Sequence, residues 1–339
     1  MRRFWGNPIT FGVVLLAALG LVFYLLLGRE AADILVEQTL HREQVITRAG
    51  AASINSFLVL AGRSLVLLAG NGPTQDSLRE FVEQWRWTPI LGSSLVDNTG
   101  IVKLTVNQDG SKTGVGRSVA DRDYFSKAKD SSGSGVIIGE AVISRVGQSA
   151  GRFVVPLVVP LRDEKGEFRG LVITSAVLDK LTELYLNPLK LSDRAGVHLV
   201  TGDGTVLYST SGTAVGDNMV EYVREHKFLG SEVLLQKVGQ ELKKGEEGKL
   251  DLAWPVGNKW QRHLVAYSPI KIEEGRYWYL VLTTPVEDTF AFLGPLYMRI
   301  LVTFAAVFLA LLVYAVRLAR HFASEERRRY EHKKHGIKE

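Results

Sequence analysis

Arg122 stands in the run Asp121-Arg122-Asp123-Tyr124-Phe125, between two carboxylates and just ahead of two aromatic rings. A guanidinium presents a planar fork of donors that matches a carboxylate through two parallel hydrogen bonds, so in a partly dry pocket this residue would grip a small organic anion. Residue types alone leave two readings open. In one, Arg122 holds a ligand, with Asp123 beside it and Tyr124 and Phe125 in the pocket wall. In the other it pairs with Asp121 or Asp123 on the surface while the rings serve the core. Arg145, next to Ser144, offers a second positive group of the same kind.

Catalytic chemistry finds little support. The chain has no cysteine, which removes thiolate nucleophiles, disulfides and sulfur-ligated metals. It carries no G-x-x-x-x-G-K-S/T, G-x-S-x-G or H-E-x-x-H motif, and its seven histidines are scattered, with His332 and His335 in a charged tail. The expectation is a binding protein, not an enzyme, with no cofactor and no metal. The formal net charge of +5 is concentrated at the ends, in Arg2 and Arg3 and from Arg317 to Lys338, leaving the middle slightly acidic. That distribution argues against nucleic acid as a partner.

Two uncharged apolar runs, 9–27 and 300–316, bracket the chain. At 1.5 Å per residue each is about 25 to 28 Å long, close to the thickness of a bilayer's hydrocarbon core. Basic residues flank both on the outer side, which places both termini in the cytoplasm by the positive-inside rule and residues 28–296 outside it, at the plasma membrane. The basic tail would also meet anionic membrane lipid. From 29 to 70 there is no proline, and apolar residues at Val36, Leu40, Ile54, Phe57, Leu58, Ala61, Leu65 and Leu68 make a helical stripe with breaks around Glu43 and Gly50. Such a helix, rooted in a membrane span, is expected to pair with a copy of itself through residues 30–70, at positions such as Val36 and Leu40. A shorter helix at 76–87, with Trp85 and Trp87 anchoring it, precedes strands at 91–96, 101–106, 136–145, 153–161 and 168–177, then a helix at 178–186. The texture repeats at 197–201, 206–209, 250–255, 261–270 and 277–284. The expected class is α+β: a long N-terminal helix carrying two stacked antiparallel sheets, flanked by two transmembrane helices.

In this order and spacing the chain resembles the double-Cache family, the tandem PAS-like extracellular sensors of bacterial chemoreceptors and histidine kinases. The resemblance spans about 30–295. It rests on Asp121 to Phe125, Ile143-Ser144-Arg145, Val154-Val155-Pro156-Leu157 and Gly170-Leu171-Val172, and more loosely on Thr201-Gly202-Asp203-Gly204 and 264–270. It implies a cytoplasmic N-terminus at 1–8, a first transmembrane helix at 9–27, a stalk helix at 28–70, a membrane-distal Cache module at 71–190, a proximal one at 191–290, a second transmembrane helix at 297–318 and a cytoplasmic tail at 319–339. It also implies one small ligand in the distal module. In the family's amino-acid-binding subset the motif is Arg-x-Trp-Tyr, and Arg122, Tyr124 and Phe125 occupy those places. The preceding tyrosine is Arg117 here, and the aspartate that meets the ligand's ammonium is Ser175. A buried ammonium without a carboxylate is costly, so the expected ligand carries a carboxylate and is not an amino acid. The 23 residues after 316 leave no room for an output domain, so the expected partner is a separate histidine kinase or chemotaxis protein. The rival expectations are an assembly module with a degenerate pocket, or the input half of a kinase or diguanylate cyclase.

Overall fold

The structure, a computed structural model, describes residues 8–190, 192–210, 215–226, 231–256, 259–273, 275–291 and 293–335. Arg2, Arg3 and Lys338, on which part of the charge argument rests, lie outside them. The elements in chain order begin with helices α1 (Pro8–Gly70) and α2 (Gln75–Gln84) and strands β1 (Ile90–Asp97) and β2 (Val102–Asn107). Helix α3 (Asp123–Asp130) follows, then β3 (Ile137–Ile138), β4 (Val142–Ile143), β5 (Phe153–Arg162), β6 (Phe168–Val177) and α4 (Leu178–Tyr185). The next stretch holds β7 (Gly196–Thr201), β8 (Val206–Ser209), α5 (Met219–His226), α6 (Ser231–Lys244), β9 (Gly248–Val256), β10 (Lys259–Glu273) and β11 (Arg276–Pro285). Helices α7 (Val286–Phe290) and α8 (Leu293–His335) close the chain. Two compact units result, residues 39–286, and residues 1–38 with 287–339.

In the larger unit two antiparallel sheets repeat one topology. The distal sheet runs β2-β1-β6-β5-β3, with β4 also on β5, and the proximal sheet runs β8-β7-β11-β10-β9. Tight hairpins start both: Asp97 accepts from the amides of Thr99 and Ile101, each at 2.9 Å, closing the Asp-Asn-Thr-Gly turn. The expected single strand over 136–145 is instead the two short pieces β3 and β4. The carbonyl of Pro156 faces that edge and accepts from Gly139 at 2.8 Å, so the amide hydrogen that proline lacks would have faced the same edge. Helices α3, α5 and α6 were not expected from the sequence pattern. α3 is eight residues long with no side-chain cap, and it stands because Tyr124, Phe125 and Ala128 are buried beneath it.

Helix α1 is unbroken through both supposed interruptions. Gly50 is a site of close packing: a Cβ there would lie 2.5 Å from Leu189 Cδ1 and 2.6 Å from Leu280 Cδ2. The stripe Ala51, Ile54, Phe57, Leu58, Ala61, Leu65 and Leu68 enters one core with Leu157, Val159 and Val172 of the distal sheet and Leu199, Trp278, Leu280 and Leu282 of the proximal one. Among the described residues, Gly28–Gly70 and Tyr297–Phe322 are helical stretches long and apolar enough to cross a membrane. From Ala51 onward the first of these buries its apolar side on the two sheets. The 9–27 run before it is also part of α1. Within its own unit it leaves Leu19, Leu21, Val22, Leu25 and Leu26 exposed, and the ring of Phe304 of α8 packs on Gly20.

Glu43 is fully buried on the sheet-facing side of α1 and neither carboxyl oxygen makes a hydrogen bond of normal geometry. The hydroxyl of Thr284 is the polar group beside it, and one turn on, Thr47 meets Ser268 at 3.0 Å. Burial raises the Glu43 pKa from 4.5 to about 7, although Thr284 and Arg42 pull it the other way. Between those values the folded chain keeps a proton that the unfolded chain releases, so stability falls as pH rises from 4.5 to about 7. The contribution is roughly 3 kcal/mol at about 1.4 kcal/mol per pKa unit. Glu43→Gln should flatten that slope and raise stability at pH 8 relative to the parent, as read by denaturant unfolding at pH 5, 6, 7 and 8. An unchanged slope would remove Glu43 as its source.

Candidate functional site

Strand alternation sends Ser94 of β1, Val154 and Pro156 of β5, and Ile173 and Ser175 of β6 to the face of the distal sheet turned away from α1. At one end that face is filled, where Val96, Val158 and Leu171 pack under Phe125 and Ala128 of α3. Close strand approach helps: Gly170 has φ +135°, and a Cβ there would sit 2.1 Å from the carbonyl of Val96. At the other end, beneath the start of α3 and the loop that carries β4, a cavity of about 40 Å³ remains. Arg122, Tyr124, Ile143, Arg145 and Ser175 all line it.

Arg122 is the residue that caps α3, and its Nη2 donates to the carbonyl of Ile143 at 2.8 Å. Its expected surface partners are engaged elsewhere. Asp121 accepts both bonds of Arg145, at 2.9 and 2.8 Å, and those bonds hold the Asp121 carboxyl below the usual carboxylate range. Asp123 pairs with Lys127 one turn along α3 at 2.8 Å. Tyr124 is 6% exposed. Burial pushes its phenol up to about 12, and the charges of Arg122 and Arg145 act on it in the opposite direction. The hydroxyls of Tyr124 and Ser175 make no hydrogen bond among the described residues, so both remain available to a guest. The structure thus brings Arg122, Tyr124, Arg145 and Ser175 together. It leaves Asp123 and Phe125 outside the lining: Asp123 is exposed, and Phe125 is a core ring set edge-on to Phe168 with centroids 5.7 Å apart.

The sequence reading missed most of the polar lining. Ser94 bonds Thr105 at 3.0 Å, Thr174 donates to the carbonyl of Gly92 at 2.8 Å, and Asn107 accepts from the amide of Gln148 at 3.0 Å. Ser144 and Ser149 meet at 3.0 Å. The available signal was hydroxyl side chains inside otherwise apolar strands, as at Ser93-Ser94 and Thr174-Ser175. No aspartate or glutamate lines the cavity, and no group of three metal-ligating side chains occurs among the described residues. On the proximal sheet, two histidines far apart in sequence share a face. Burial takes His198 down to about 4, with the neighbouring His263 adding to the effect, and His198 bonds Ser209 at 3.0 Å and Thr283 at 3.3 Å.

The different duties of Arg122 and Phe125 are measurable as stability. Phe125→Ala should cost about 3 to 5 kcal/mol, the range for an aromatic ring removed from a packed core. Arg122→Ala gives up one neutral acceptor at a partly exposed site and should cost about 0.5 to 1.5 kcal/mol. Urea unfolding of the two variants tests the contrast, and equal losses would overturn the division.

The Cache domain family matches residues 31–293 of the chain. No curated protein matches it in sequence. Solved structures do match in fold. The periplasmic sensory domain of a Campylobacter jejuni chemoreceptor aligns with a TM-score of 0.56 at 14% identity, over 76% of this chain and 98% of that one. The ligand-binding domain of a Pseudomonas fluorescens chemoreceptor in complex with L-leucine aligns with a TM-score of 0.52 at 16% identity, over 76% and 97%. An extracellular ligand-binding receptor from Desulfohalobium retbaense aligns with a TM-score of 0.51 at 15% identity, over 74% of this chain, which spans 39% of that receptor. With a long N-terminal helix, two antiparallel sheets of one topology and a family match over most of its length, the chain belongs to the double-Cache sensor family.

Proposed function

We propose that the chain is a membrane-anchored extracytoplasmic sensor that holds a small carboxylate in its distal module. The observation that carries this reading is the convergence of the Arg122 guanidinium with the free hydroxyls of Tyr124 and Ser175 on a cavity lined by no acidic side chain. Such a site can satisfy both oxygens of a carboxylate. It offers no carboxylate to balance the charge of an ammonium, so an amino acid such as leucine suits it less well than a simple acid. Size points the same way: about 40 Å³ is a quarter of the 150 Å³ cavity that takes up benzene, so a two- or three-carbon acid suits it better than leucine. The same small volume favours a second reading, an assembly module whose pocket has closed.

Basic ends outside two apolar helices support a two-pass topology with both termini cytoplasmic. Because the solved relatives include chemoreceptors and histidine kinases, a chemotaxis or kinase component is the class of partner to which the signal would pass.

A thermal-shift screen of the full chain with formate, acetate, propionate and lactate, set against glycine, leucine, purines and sugars, tests the assignment, since a ligand of the native state raises its apparent stability. Binding by an acid should weaken about ten- to a hundredfold in Arg122→Ala, the loss of a charge-assisted pair worth roughly 1.5 to 3 kcal/mol. Arg122→Lys should also lose affinity, because one ammonium cannot reproduce the bidentate grip. Ser175→Asp should move preference towards amino acids. No shift with any acid, or full affinity in Arg122→Ala, would leave the assembly reading.

We also propose a homodimer, through a different face of α1 from the one the sequence singled out. Leu40 is buried within the chain's own fold. The exposed positions Val45, Ala49, Ala52, Ser56, Val59 and Arg63 alternate in steps of four and three, the spacing of a coiled-coil seam. The chain has no native cysteine. Oxidation in membranes should therefore cross-link Ala52→Cys and Val59→Cys between copies and leave Leu40→Cys monomeric. The reverse pattern would place the interface elsewhere.

A further inference from the structure

We infer that Arg276, at the start of β11 in the proximal sheet, is a positioning residue for the distal cavity and carries the cavity's state into the proximal module. This rests on the reading of the cavity as the ligand site. One wall of the cavity is the stretch 142–147, the continuation of 137–141, and the run as a whole holds little sheet structure of its own: β3 and β4 are two residues each and pair only with β5. Its place is set by clamps from three sides. Near its start, Arg276 donates to the carbonyl of Ile138 and ion-pairs with Glu140, while Glu273 holds the same guanidinium at 3.1 Å. The Arg276 side chain is 22% exposed, so these contacts are partly desolvated. At Gly139 there is no slack, since a Cβ would lie 2.5 Å from Pro156 Cγ and 3.1 Å from Tyr124 Cβ. Further on, the carbonyl of Ile143 receives Arg122 at 2.8 Å.

One guanidinium therefore fixes the wall from the ligand side and another from the proximal side, five residues apart. An anion that engages the fork of Arg122 competes with the Ile143 carbonyl for the same donors. Once released, that carbonyl must turn towards water or another donor, and the wall shifts with it. Gly139 is wedged, so the displacement is passed along the backbone to Ile138 and Glu140, where Arg276 reads it. β11 runs from Arg276 to Pro285 between β7 and β10 of the proximal sheet, and α7 follows directly. Linkage makes the coupling reciprocal: loosening Arg276 must alter the wall as surely as releasing Arg122 alters the β10–β11 hairpin.

The coupling is measurable without a ligand, by hydrogen exchange of the full chain in nanodiscs read by mass spectrometry. Arg122→Gln should speed exchange of the hairpin amides at 271–273 and 275–277 several-fold, and Arg276→Gln should do the same for 142–146. In the double variant the hairpin should exchange as in Arg276→Gln alone, because the route has already been cut. Glu140→Gln, which keeps the bond to Ile138, should reproduce the effect of Arg276→Gln in weaker form and serves in its place if that variant does not fold. Hairpin exchange unaffected by Arg122→Gln, or effects that simply add in the double variant, would overturn the inference. A chain that shows this coupling but binds no carboxylate keeps the relay and loses the ligand assignment. Arg122-dependent binding of acetate or propionate without the coupling keeps the site and removes Arg276 from it.

Discussion

Everything in the larger unit leans on one stripe of α1. Each sheet has a smaller core with its own helix on one face, Phe125 of α3 on the distal sheet and Leu242 of α6 on the proximal one, but the opposite faces meet in a single core built on α1. Each turns one face to α1, and Ile54, Leu58, Ala61 and Leu65, all 0 to 1% exposed, are buried in a core to which both sheets contribute. Burial of apolar area at about 25 cal/mol per Å² makes this shared seam the main source of cohesion between the two modules. It also explains why glycines interrupt the stripe. Gly50 and Gly62 admit side chains from Leu280 and Val136 to within 3 Å of where a Cβ would stand, so the helix can approach the modules closely. Glu43 is the polar exception in that seam, tolerated because its carboxyl can be held neutral by burial.

With one sheet face committed to α1, chemistry is left to the other. On the distal module that outer face is partly filled by α3 and partly open. The division follows side-chain size and polarity: Phe125 and Leu171 close one end, while Ser94, Ser175 and the loop with Ser144 and Ser149 keep the other polar. On the proximal module the outer face is occupied by Tyr267, Tyr279 and Leu242 around buried polar groups, with the Tyr279 hydroxyl donating to the Leu242 carbonyl at 2.8 Å. Repeated topology thus does not repeat the packing of the outer face. The same strand order yields a cavity where the covering helix is short and its neighbours carry hydroxyls, and a filled core where tyrosines replace them.

Much of the architecture was legible because it depends on local periodicity. The short apolar runs at 153–161 and 168–177, rich in β-branched residues, and the turn residues Asp97 to Gly100 and Asp163 to Gly166 reflect backbone preferences that act within a few residues. Failures came where a distant partner decided the outcome. Gly50 reads as a break until Leu280 is seen to need the space. The 136–145 stretch reads as one strand until the missing amide of Pro156, in a different strand, is seen to stop it. Helix α3 has no strong local signal because its stability comes from the sheet beneath it.

For the candidate site, the residues by themselves determined the chemistry on offer: an arginine fork, a phenol and hydroxyls. Those are properties of side chains and survive any fold. Tertiary structure alone decided which of them meet. Asp123 and Phe125 neighbour Arg122 in the chain, yet one points to Lys127 and the other into the core, because adjacent helical residues face different ways. Ser175 lies more than fifty residues away and shares the cavity, because β5 and β6 lay it beside Pro156. The partner of Arg122 likewise was a choice among groups of similar affinity. Only packing, which gave Asp121 to Arg145 and the Ile143 carbonyl to Arg122, could make it.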